Sequence, residues 1–147
     1  MLSLYQKYGL IISASLIVYF IAMKLFGLHQ YPILSIVNAI LFGGGIYRAI
    51  KTYVRDNPEY EYQDAWQAGF LSGAIATLYF TIFMGIYMFQ IDTEFAISVL
   101  NGWDINYTTG VMIILFSMVL MGLSTTAVSV LTFMQRFKKS WNTKKAK

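Results

Sequence analysis

Cysteine is absent from the 147 residues, histidine occurs once and proline twice. Without thiols the chain has no disulfides, no thiolate metal site and no thiol redox chemistry. A single imidazole, His29, cannot build a multi-histidine metal site, and it falls in a short turn between two apolar runs. Charge is also scarce: Asp, Glu, Lys and Arg make up 12% of the residues, against about a quarter in a soluble domain. The centres of the long apolar runs hold no Asp, Glu, Lys, Arg or His. Intramembrane ionisable groups are the usual mark of proton relays and ion-coupled transport, so the pattern counts against a small multidrug-type antiporter. The sequence contains no nucleophile–base motif, phosphate loop or dinucleotide fingerprint. Gly43-Gly44-Gly45 lacks the strand–helix setting of a phosphate loop and reads as a site of close packing or a kink. These absences point away from an enzyme, a cofactor and a metal.

What the chain does have is apolar mass. Hydrophobic residues make up 57% of it, and the mean hydropathy is +0.56. The excess lies in four blocks, about 9–26, 32–50, 65–89 and 110–134. A bilayer core needs roughly 20 apolar helical residues, so the composition predicts an all-α polytopic membrane protein. The expected architecture is a single four-transmembrane-helix bundle. The first block has a base, Lys7, before an apolar run, as a signal peptide does, but no small-x-small cleavage pattern follows it. An uncleaved first helix is expected, with Lys24 snorkelling from its last turn. Pro32 suits the first turn of the second helix.

The third block organises the rest. Ala65–Phe89 carries no charged side chain, and Ala65, Gly69, Gly73, Thr77, Thr81 and Gly85 recur at every fourth position. Residues four apart share a helix face, so one stripe is nearly bare and lets a neighbouring backbone approach closely. Packing within the bundle is the first reading of this stripe. A homodimer seam and a ligand-lining groove are the others. Asn38 is the amide well inside a span; its cost in hydrocarbon predicts that it faces another helix and hydrogen-bonds there. The fourth block is rich in hydroxyls, among them Ser124, Thr125 and Thr126. These are expected to bond back to their own helix or across to a neighbour. With Asn38 they form the candidate polar lining of a conduit.

The loops set the orientation. Residues 51–64 continue from Arg48 through Lys51 and Arg55, break at Asn57-Pro58, and end in Asp64, a candidate cap or first-turn acid for the third helix. Residues 90–109 hold Asp92, Glu94 and Asp104 and no base. They contain a short apolar run, Phe95–Leu100, expected at the interface with Trp103 and Tyr107, and a turn at Asn101-Gly102. Asn106-Tyr107-Thr108 matches a glycosylation sequon. Residues 135–147 form a basic tail, with Arg136, Lys138, Lys139, Lys144, Lys145 and Lys147 as candidate contacts to anionic headgroups or a partner. Ten of the eleven Lys and Arg residues lie in the head, the 51–64 region with Arg48, and the tail. The positive-inside rule then predicts both termini cytoplasmic and 90–109 outside.

A helix leaving the membrane as Tyr47-Arg48, followed by Tyr62-Gln63-Asp64-Ala65-Trp66-Gln67-Ala68-Gly69 at the start of span three, resembles the bacterial membrane family catalogued as domain of unknown function 4199. The resemblance implies an inner-membrane location in a diderm bacterium and brings no activity or catalytic residues. The sequence therefore predicts a non-catalytic accessory, scaffold or assembly subunit of the bacterial inner membrane. Its partners would be membrane lipids, other membrane subunits or a second copy of itself, with no nucleic acid. A small channel or facilitator for a neutral or anionic solute is the alternative.

Overall fold

The computed structural model describes residues 3–28 and 31–138. Its elements run α1 (Leu4–Leu25), a 3-10 turn (Pro32–Leu34), α2 (Ser35–Asp56), α3 (Tyr62–Ile86), a π-helical turn (Tyr87–Ile91), α4 (Thr93–Val99) and α5 (Tyr107–Phe137). No strand occurs among the described residues.

Polar caps, rather than the edges of the apolar blocks, fix where α1 and α5 begin. Ser3 Oγ accepts from the Gln6 N–H at 3.4 Å and the Gln6 side chain accepts from the Ser3 N–H at 3.0 Å. This reciprocal box starts α1 at Leu4, ahead of the apolar block at Gly9. Asn106 Oδ1 accepts from the Thr109 N–H at 2.8 Å and starts α5 at Tyr107. The asparagine of the sequon is thus a helix cap. Asn57 ends α2 by donating from Nδ2 to the Tyr53 carbonyl at 2.9 Å. Only residues 57–61 then separate α2 from α3, with Asp64 in the first turn of α3. Gly27 and Gly102 turn the chain at positive φ, +68° and +89°, a conformation side chains with a Cβ resist.

Among the described residues, three helical segments are long and apolar enough to cross a bilayer: Leu4–Leu25, Tyr62–Ile91 and Tyr107–Phe137. The helix of the second block is not among them. Its apolar start, Pro32–Leu34, is wound as a separate 3-10 turn, and α2 itself runs on through Arg48, Lys51, Arg55 and Asp56.

α3 is the axle, packed against α1, α2 and α5. Tyr8 and Thr52 hydroxyls meet at 2.7 Å at one end of the bundle, where the Tyr60 hydroxyl donates to the Phe137 carbonyl. At the other end Lys24 pairs with Asp92. α1 and α3 therefore run parallel, with α2 and α5 antiparallel to both. The described bases other than Lys24 gather at the Tyr8–Phe137 end. The outer surface is apolar on all four long helices, with Val18, Ile40, Ile82 and Phe116 each at least 60% exposed. An apolar belt of that extent needs a non-aqueous cover, and with the three apolar helices it points to a membrane protein.

Candidate functional site

The site is built on the α3–α5 seam. A β-carbon added to Gly69 would lie 2.7 Å from Ile50 Cγ1 and 3.1 Å from Val130 Cγ2. One added to Gly73 would lie 2.6 Å from Thr126 Oγ1 and 3.0 Å from Ile46 Cδ1, and one on Gly122 would lie 2.6 Å from Thr77 Oγ1. Each step of four up α3 (69, 73, 77) meets a step of four back along α5 (130, 126, 122), as antiparallel helices in register require. The hydroxyls at this seam are satisfied locally: Thr77 donates to the Gly73 carbonyl at 2.9 Å and Thr126 to the Gly122 carbonyl at 2.7 Å. Close approach here thus leaves no polar group unpaired.

α2 joins α5 only at one end. Tyr47 packs its ring 5.5 Å from that of Phe133 and 5.7 Å from that of Phe137. Beyond that contact the two helices part, and a cavity of about 380 Å³ opens over α3. Its walls are Asn38, Ala39 and Phe42 on α2 and Met118, Met121 and Thr125 on α5. Its floor is Thr77, Phe80 and Thr81 on α3. A smaller cavity of about 170 Å³ lies toward Tyr19 and Phe95 and shares Ser35 and Asn38 with the first.

Two buried polar atoms bordering the larger cavity have no hydrogen-bond partner among the described residues, Asn38 Oδ1 and Thr81 Oγ1. The interhelical bond expected of Asn38 through its carbonyl oxygen is therefore not made. The physical reason is the divergence of α5, which puts space and the apolar side chains of Met118 and Met121 opposite the amide. Each unmet group of this kind costs roughly 1–3 kcal/mol, and more in hydrocarbon.

The expected site residues separate accordingly. Ala65, Gly69, Gly73 and Thr77 are buried, the last three of them in the seam. Thr81 borders the cleft, and a β-carbon on Gly85 would stand 3.3 Å from Leu115. Asn38 and Thr125 come together at the cleft, whereas Thr126 is buried in the seam and Ser124 faces outward. Arg136 and Lys138 are exposed at the end of α5. Lys139, Lys144, Lys145, Lys147 and His29 lie outside the described residues.

Sequence reasoning passed over Gly122, although Gly122, Thr126 and Val130 repeat the four-residue spacing. It also passed over Ala68, Ser72 and Ala76, a second small stripe on α3 that is buried throughout. Gly9 of α1 closes on the neighbouring Ile75, where its β-carbon would be 2.8 Å from Ile75 Cβ.

At the opposite end Lys24 does not simply snorkel to solvent. Its Nζ lies 3.0 Å from Asp92 Oδ2 and 4.5 Å from the centre of the Phe95 ring. Asp92 also caps α4, accepting from the Phe95 N–H at 2.8 Å, and accepts from the Tyr87 hydroxyl at 3.1 Å. The Phe95 N–H, and then Lys24, hold the Asp92 carboxyl below its ordinary range. This cluster clips α4 to the ends of α1 and α3. No group of three or more His, Asp or Glu residues that could hold a metal occurs among the described residues.

A helical bundle with an apolar surface and an uncharged internal cleft defines a membrane protein of the α class. The chain belongs to the family described as protein of unknown function (DUF4199), whose model matches residues 7–102. The match runs from within α1 through α4 and stops before α5. No curated protein and no solved structure matches the chain.

Proposed function

We propose that this chain is a non-catalytic accessory, scaffold or assembly subunit of a bacterial inner membrane, with four spans and both termini cytoplasmic. The observation that carries the reading is the glycine-mediated packing of α3 against three neighbours of its own chain. Such packing makes a stiff bundle and leaves the outer apolar belt free for lipid or other subunits. α2 is included as a span because Ile46 and Ile50 seat against Gly73 and Gly69, while Ile36 and Ile40 stay exposed on its outer side. The bases at the Tyr8–Phe137 end favour the cytoplasmic side for that end. Arg136, Lys138 and the rest of the tail are the contacts to anionic headgroups.

Affinity purification from native membranes in mild detergent, with the intact mass of the eluted particle, tests this reading. A foreign subunit in fixed stoichiometry is expected. A homo-oligomer would favour the second reading, a channel or facilitator for a neutral or anionic solute. The meeting of Asn38 and Thr125 at the cleft supports that reading. It predicts solute flux in reconstituted vesicles that is lost in Asn38→Leu.

A further inference from the structure

We propose that the cleft between α2 and α5 binds a neutral, hydroxyl-bearing amphiphile drawn from the bilayer, with its hydroxyl held between Asn38 and Thr81. Three features of the cleft select that chemistry.

The first is polarity. Asn38 Oδ1 and Thr81 Oγ1 are buried without partners and border the same cavity. A carboxamide oxygen needs a donor, and a threonine hydroxyl can donate or accept. One alcohol group answers both, giving its proton to Asn38 and accepting from Thr81. An ether, an ester or a plain alkane cannot supply the donor that Asn38 Oδ1 needs.

The second is charge. None of the residues lining the cleft is ionisable. A charged headgroup placed there would lose its hydration with no counter-ion in return. Phosphate- and ammonium-bearing heads are thereby disfavoured against a neutral one.

The third is the route of entry. Ala39, Met121 and Thr125 line the cleft and are also exposed. Met121 is 70% exposed, next to the apolar belt. The mouth therefore opens sideways into hydrocarbon, and Phe42, Phe80 and Met118 supply an apolar channel for the first part of a chain. The cavity volume of about 380 Å³ lies at the lower end of the roughly 300–1,000 Å³ of ligand pockets. It takes a head and the start of a tail, and the remainder of the tail leaves through the mouth.

The test uses the whole chain reconstituted in vesicles of phosphatidylcholine alone, whose molecules lack a hydroxyl. The probe is hexadecanol carrying a mid-chain diazirine, compared with its methyl ether. Light-induced labelling, mapped by mass spectrometry, is expected on Phe80, Met118 or Met121 with the alcohol and at least fivefold less with the ether. Unlabelled hexadecanol should compete and its methyl ether should not. This comparison needs no variant. In the shape-conserving double variant Asn38→Leu/Thr81→Val, labelling by the alcohol should fall to the level seen with the ether. Equal labelling by alcohol and ether would overturn the proposal. So would labelling confined to outward residues such as Val18 and Leu78, or no labelling by the alcohol. Unchanged labelling in a folded double variant would do the same.

Discussion

Thr77 and Gly122 face each other across the α3–α5 seam so closely that a β-carbon on Gly122 would lie 2.6 Å from Thr77 Oγ1 and 3.0 Å from its Cβ. Thr77 is itself 5% exposed, and its hydroxyl is tied to the Gly73 carbonyl. It cannot step aside without breaking that bond. Gly122→Ala is therefore expected to destabilise the bundle by roughly 1–3 kcal/mol through overpacking, despite the better helix propensity of alanine. Adding Thr77→Ala removes the clashing γ-atoms and should return part of the loss, a coupling that a double-mutant cycle reads directly. Unfolding in detergent, followed by circular dichroism, measures it. Strict additivity of the two substitutions would mean that the helices do not meet there.

The Lys24–Asp92 pair makes α4 sensitive to acid. The folded Asp92 carboxyl titrates below its ordinary value because the Phe95 N–H donates to it and Lys24 stands beside it. A depressed carboxylate contributes stability that is complete above its unfolded pKa, about 3.9, and is lost as pH falls through the lower folded value. Amide exchange over Thr93–Val99, corrected for the intrinsic rate, should therefore rise as pH falls below about 4. Asp92→Asn should exchange faster at neutral pH and respond little to acid. A wild-type profile that stays flat down to pH 2 would contradict this clasp.

The legible parts of this fold are those that repeat locally. The stripe from Ala65 to Gly85 can be read because a four-residue spacing is a property of one helix. Its partner is harder to read, since the reciprocal spacing Gly122, Thr126, Val130 sits among other hydroxyls and gains meaning only once the register is known. The starts of α1 and α5 are hard to read for a different reason. Hydropathy registers side chains, whereas Ser3, Gln6 and Asn106 start helices by satisfying backbone N–H groups outside the apolar blocks. The cleft was legible only in part, in Asn38 and Thr125 as a candidate polar lining. Asn38 could be marked as a costly amide, but whether it finds a partner depends on how far α5 diverges from α2. Thr81 falls on the packing stripe by its spacing, yet it lies where α3 floors the space between α2 and α5.

The absence of cysteine makes the topology directly testable. In single-cysteine variants, Leu28→Cys and Glu59→Cys flank α2 on either side, and both positions are exposed. With α2 across the bilayer, a membrane-impermeant maleimide added to intact cells should reach residue 28 and not residue 59. After lysis both should react. Labelling of both positions in intact cells, or of neither, would put them on one side and remove α2 from the set of spans.

Buried polar groups left without partners cost roughly 1–3 kcal/mol each, and replacing them with apolar groups of the same shape is neutral or stabilising. Asn38→Leu and Thr81→Val keep the volume of both side chains nearly unchanged while removing Oδ1 and Oγ1. If the two atoms are unmet in the isolated bundle, the double variant in detergent free of alcohols should melt at the same temperature as the wild type or higher. If instead these groups bond each other or a tightly held water, both substitutions should destabilise, and a cycle of the single and double variants should show strong coupling. A stabilised double variant would mean that the chain carries a polar pair at a cost to its own folding, as a site built for another molecule does and a packing contact does not.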